Sequence, residues 1–202
     1  MMDNYTISRN RAQQYFLGFD QEKILRRWAF RHDDNHIFLR FLGVDYQICR
    51  HSGQVLRMPQ MEEAGHGEVL SMFDLMCHPG KNTTVTGRLA PVNSLKGNAA
   101  VGVGTDFYGK FAARIDADPN LFCRACLACG GVPVEVGDMG FRFQIFAELP
   151  VVLKFYHGDE DFPASLTLLW EENMLEFVYY ETVFYIAGVL LSRLEGEMEH
   201  VY

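Results

Sequence analysis

Apolar and polar positions along this chain recur in two rhythms, and the switches between them mark its elements. Residues 149–194 carry both. Val151, Leu153 and Phe155 alternate with Val152, Lys154 and Tyr156, a strand rhythm. An acidic turn follows at residues 157–161, then Phe162-Pro163, and the period-two pattern returns at Leu166, Leu168 and Trp170. Val183, Ile186, Ala187, Leu190 and Leu194 then recur at helical spacing over residues 180–194. Phe184, Val189 and Leu191 make that helix apolar almost all round, which predicts a buried or interface helix. The rest of the chain is expected to pack around this stretch.

Upstream, residues 8–30 predict a helix broken near Gly18–Asp20, with Asp20 capping the second piece. Ile24, Leu25, Trp28 and Ala29 then share one face. Residues 32–36 read as a polar loop. A β-meander follows over 37–58, with strands at 37–42, 45–50 and 54–58 and turns at Gly43-Val44 and 51–53. Residues 66–129 read as a mainly helical middle. Val69, Met72, Phe73 and Met76 define a helix over 68–77, ended by His78-Pro79-Gly80. Residues 81–104 read as loop with one short strand, and 107–115 as a short helix. Asp118-Pro119 starts a further helix that stops at Gly130-Gly131. Residues 132–136 and 139–146 predict a hairpin across Gly137-Asp138. Strands that come as hairpins, without βαβ alternation, give an α+β class: a mostly antiparallel sheet with helices packed against it. The length fits a single domain over 1–202.

Composition narrows this picture. About half the 202 residues are apolar and 13% are aromatic, enough to fill a core and exclude disorder. The net charge of −8 is spread along the chain, which argues against phosphate backbones and anionic membranes as partners. Residues 1–11 lack the apolar core of a signal peptide. The longest apolar run, 177–191, falls short of a bilayer span and contains Glu181. A cytoplasmic chain outside the membrane is expected. Five cysteines, three of them at spacing three, do not make a secreted disulfide framework.

Several motifs carry candidate chemistry. Cys123, Cys126 and Cys129 have the spacing of one loop of an iron–sulfur site. On a capped helix, however, they would spread over about 120° and could not converge on one cluster. Residues 104–111 approach a phosphate-binding loop, but Phe111 stands where the Mg²⁺-binding hydroxyl belongs and Asp106 would repel phosphate. His32, Asp33 and His36 have metal-binding character, as do His66, Cys77 and His78; solvated loop and helix-end roles compete. His157, Asp159, Glu160 and Asp161 sit between two well-patterned strands. Paired carboxylates there could bind a cation or share a proton, and a solvated turn is the competing reading. No nucleophile elbow, zinc-protease helix, dinucleotide fingerprint or kinase signature occurs, and no cofactor is expected.

Phe41-Leu42-Gly43 with Tyr46 and Gly53, then Thr86-Gly87-Arg88, Ser94-Leu95-Lys96-Gly97, Phe107 and Phe111, Gly130-Gly131, and residues 158–163 (Gly-Asp-Glu-Asp-Phe-Pro) follow in an order and spacing that resemble the prokaryotic domain of unknown function 3786 family over residues 8–194. The last of these pieces is the most specific. The resemblance assigns no activity. It implies anaerobic bacteria and archaea, some of whose members join the domain to an iron–sulfur or corrinoid-type module. It also implies an Ala/Leu-rich helix where the three cysteines fall. Its motif residues Arg88, Lys96 and Tyr108, with the 159–161 turn, are the expected ligand-binding surface. Three functions follow as expectations. The first is a non-catalytic accessory module serving a redox or corrinoid protein. The second is an enzyme using the 157–161 carboxylates. The third is an iron–sulfur or zinc protein using Cys123, Cys126 and Cys129.

Overall fold

The computed structural model describes residues 4–81, 83–97 and 108–199. The chain falls into two compact units, residues 1–83 with 176–189 and residues 84–175 with 190–202. Among the described residues there are six α-helices and ten strands, an α+β protein.

In the first unit, α1 (Asn4–Gly18) and α2 (Gln21–Trp28) are separated where expected, and the Asp20 side chain accepts the Lys23 N–H. Residues 31–32 are a short strand, β1 (Arg31–His32), at the junction where the sequence predicts the end of a helix and a polar loop from His32. They acquire that conformation by pairing with β2 (His36–Phe41). β3 (Val44–Cys49) follows after a turn at Leu42-Gly43, both at positive φ, one residue earlier than the expected turn. β4 (Val55–Arg57) and β5 (Glu62–Glu63) complete the antiparallel order β5-β4-β3-β2. Ile37, Leu39, Phe41, Tyr46 and Ile48 alternate inward along the β2–β3 hairpin. α3 (His66–Cys77) buries Val69, Met72, Phe73 and Met76, and Phe73 stacks on Phe16 of α1 at 4.8 Å.

In the second unit, β6 (Leu89–Pro91) is a short strand within residues 81–104, where loop with one short strand is expected, and it pairs with the last strand. α4 (Gly109–Ala117) and α5 (Pro119–Ala128) follow. Asp118 caps α5 through the Leu121 N–H, and the expected phosphate-loop residues 104–107 lie outside the described residues. Then come β7 (Val132–Pro133), β8 (Met139–Phe146), β9 (Leu149–Tyr156) and β10 (Ser165–Glu171), in the antiparallel order β8-β9-β10-β6 with β7 on β8. Phe122 of α5 meets Phe141 and Phe155 edge-on or tilted at 6.1 and 6.5 Å, which seats α5 on β8 and β9.

α6 (Tyr180–Glu199) contributes residues to both units. Val183, Ile186, Ala187, Leu190 and Leu194 are buried as expected, but Glu181, Tyr185, Gly188 and Ser192 are exposed. The helix therefore has an exposed face, so of the two expectations, buried or interface, full burial within the chain does not hold. Among the described residues no helix is long and apolar enough to cross a membrane.

Candidate functional site

The far end of β10 organises the segment that carries most of the motif residues. Leu166, Leu168 and Trp170 face the core, so Glu171 has the opposite parity and belongs outward by pattern. It is nevertheless fully buried, because residues 84–88 fold over it. Its Oε2 accepts three hydrogen bonds, from the Thr86 N–H (2.8 Å), the Thr86 hydroxyl (2.9 Å) and the Gly87 N–H (3.1 Å). Oε1 has no hydrogen-bond partner among the described residues. The Thr86 hydroxyl oxygen in turn accepts the Arg88 N–H, and Gly87 sits at φ +74°, a turn conformation that favours glycine. Thr86-Gly87 is thus a cradle for one carboxylate oxygen.

Glu172 holds the next layer. Its N–H donates to the Arg88 carbonyl, and its carbonyl accepts the Lys96 N–H. Its Oε1 meets Arg88 Nη2 at 2.5 Å and Lys96 Nζ at 2.8 Å. The Lys96 hydrogen bond, aided by the Arg88 charge and opposed by desolvation, holds the Glu172 carboxyl below the ordinary carboxylate range. The Glu172 side chain is 17% exposed, whereas those of Arg88 and Lys96 are 71% and 61% exposed. Two cations therefore stand on one carboxylate and face solvent. The three surface groups together carry +1, and the buried Glu171 carboxylate beneath them offsets it, on a chain whose net charge is −8.

The acidic turn lies at the other end of β10. Six strand steps of about 3.3 Å separate Ser165 from Glu171, which puts the two corners roughly 20 Å apart. Arg88 and Lys96 therefore come together, and His157, Asp159, Glu160 and Asp161 form a separate group. Asp159 closes the turn itself. Its Oδ1 accepts the Asp161 and Phe162 N–H groups at 2.9 and 2.8 Å, and its N–H donates to the Phe162 carbonyl. Glu160 and Asp161 are exposed. His157 pairs with a residue that the sequence reading missed: its Nδ1 is 2.7 Å from Asp116 Oδ1, at the end of α4. Its N–H donates to Asp138, and Phe155 meets its ring edge-on. Gly158 permits this packing, since a Cβ there would lie 2.9 Å from the Ala164 nitrogen. With Nδ1–H donated to Asp116, Nε2 becomes the basic nitrogen, and it has no partner among the described residues.

The remaining candidates separate from both corners. Tyr108 stands at the start of α4, where burial pushes its phenol up to about 12. The three cysteines of residues 123–129 are free thiols along α5 and its C-terminal cap. Burial pushes the Cys126 thiol well up and that of Cys129 up to about 11, so the neutral thiol is the favoured form of each. Asp33 closes its own turn by accepting the Asn35 and His36 N–H groups, and these bonds hold its carboxyl below the ordinary range. His66 lies between the rings of Tyr5 and Tyr185, Cys77 is buried, and His78 caps α3. Among the described residues no three His, Cys, Asp or Glu side chains are grouped so that they could hold one metal ion.

Fold and site together define an α+β protein with a charged corner built from its own motif segment. The chain belongs to the family described as Domain of unknown function (DUF3786), whose model matches residues 20–193. No curated protein and no solved structure matches the chain.

Proposed function

We propose that this chain is a non-catalytic accessory module whose Arg88–Lys96 corner binds an acidic partner protein. The observation that supports it is the pair of well-exposed cations held on one Glu172 oxygen, above a loop anchored by buried Glu171. A corner of this kind fixes two cations at a set spacing while leaving their outer donors to a partner, the arrangement that steers an acidic surface and sets its register. The resemblance supplies the setting, an anaerobic prokaryote with a redox or corrinoid protein as the partner class, and a cytoplasmic location is part of the proposal. The acidic charge balance of the rest of the chain argues against nucleic acid. The test is retention of an acidic protein from an anaerobic native extract by the wild type and by R88E/K96E. The reading expects a salt-sensitive partner held by the wild type and lost from the variant while the fold is kept. Equal retention by both would remove this corner from the interface.

One observation favours a second reading, an enzyme at the other end of β10: Asp116 orients His157 in the geometry of a general base. Hydrolysis of an activated ester such as p-nitrophenyl acetate tests it. H157Q should lower the rate by about a hundredfold or more, and D116N should lower it as well. An unchanged rate in H157Q ends this reading.

A further inference from the structure

The first unit carries a groove that neither corner uses. It lies on the outer face of the β1–β2–β3 row, measures about 440 Å³, and is lined by Arg31, Phe38, Arg40, Asp45, Met58 and Pro59. The register brings these side chains to one face. Arg31 opposes Phe38, Arg40 opposes Asp45, and the Met58 N–H donates to the Asp45 carbonyl. Arg57, one residue earlier, points the other way and grips Glu68.

We propose that this groove binds a small organic oxyanion, a planar or apolar body bearing a carboxylate or a phosphate. The Arg31 guanidinium lies over the Phe38 ring with its carbon 4.1 Å from the centroid. This contact holds the guanidinium against the ring, and the Arg31 side chain has no ion pair or hydrogen bond among the described residues, so its N–H donors remain for a ligand. Arg40 gives one nitrogen, Nη1, to both Asp45 oxygens at 3.1 and 3.2 Å; its Nε and Nη2 have no partner among the described residues. Phe38 and Arg40 are two strand steps apart, roughly 7 Å, so one small molecule can reach both guanidinium groups. Met58 and Pro59 offer an apolar wall to its body, and the volume lies in the range of small-molecule sites. Asp45 leaves the groove a net charge of +1 and weakens Arg40 as an anion receptor.

The experiment is nuclear magnetic resonance titration of the full chain with benzoate and with phenyl phosphate, using benzyl alcohol as the uncharged control. Both anions are expected to saturate the Arg31 and Phe38 signals at millimolar concentration, as suits a fragment-sized probe, and the tighter of the two identifies the headgroup. R31Q should weaken binding about tenfold, and R31K less, because it keeps the charge and loses the planar fork. D45N should strengthen binding by releasing Arg40. R88Q/K96Q should leave it unchanged, which separates this site from the proposed partner surface. Thermal melts of each variant establish that the fold is kept. No saturation below about 20 mM, equal binding of benzyl alcohol, equal binding by R31Q, or weaker binding by D45N would each overturn the proposal.

Discussion

Among the described residues two glutamates are buried, one in each unit, and they are stabilised in different ways. Glu68 in the first unit is answered by a full charge. Arg57 meets Glu68 Oε2 from Nε and Nη2 at 3.0 and 2.8 Å, the Tyr46 hydroxyl donates to Oε1 at 2.6 Å, and the Gly65 N–H closes the cap of α3 at 2.6 Å. Glu171 in the second unit is answered by neutral donors only, all on Oε2. The charge that the first unit spends on its buried carboxylate is placed, in the second, one residue further on and outside. Arg88 and Lys96 meet the neighbouring Glu172 at the surface. A buried pair fixes a helix against a sheet. A buried carboxylate held by backbone N–H groups fixes a loop and leaves its cations available, which is the physical basis for reading that corner as a binding surface.

Removing either glutamate tests the contrast. E68A is expected to cost about 3 kcal/mol in urea unfolding, because Arg57, the Tyr46 hydroxyl and the Gly65 N–H all lose their acceptor. The amide variants sharpen it: E68Q loses the charge opposite Arg57 and should cost about 2 kcal/mol, whereas E171Q keeps an acceptor for its neutral donors and should cost about 1 kcal/mol or less. Equal costs would erase the distinction between the two sites. At the acidic turn, D159A should cost about 1 kcal/mol because Asp159 holds the turn, while E160Q should stay within about 0.5 kcal/mol.

The smallest effect is a pH dependence. The Glu172 carboxyl is lowered in the folded chain from its ordinary 4.5, so the stability it contributes is fully present above that pH. It fades as the pH falls through the lower folded value. Acid unfolding of R88Q/K96Q should lack this contribution, and an identical acid limb in wild type and variant would mean that the cations do not hold Glu172.

What was legible in the sequence was local. Asp20, the Asp118-Pro119 start and the Gly130-Gly131 stop mark helix ends by chemistry within a few residues, and the alternation of Phe141, Phe143 and Ile145 fixes β8 by its own burial. β6 falls within residues 81–104, where one short strand is expected, but its place there was not legible, since its three residues carry no period and are strand only through pairing with β10. Arg88, Lys96 and His157 stood among the candidates, but their partners Glu172 and Asp116 did not, for the same reason. Lys96 and Glu172 are 76 residues apart, Thr86 and Glu171 are 85 apart, and His157 and Asp116 are 41 apart, separations that no spacing rule reaches. For the missed glutamates the available signal was Glu171-Glu172, an acidic pair directly after the apolar Leu166, Leu168, Trp170 series.

The most direct measurement is the melting temperature of R88Q/K96Q against the wild type near neutral pH. If the two cations are there to be used at the surface, their loss costs less than about 1 kcal/mol and lowers the midpoint by no more than about 2–4 °C. A drop of about 8 °C or more would mean that Arg88 and Lys96 hold the fold together, and would contradict the reading of this corner as a binding surface.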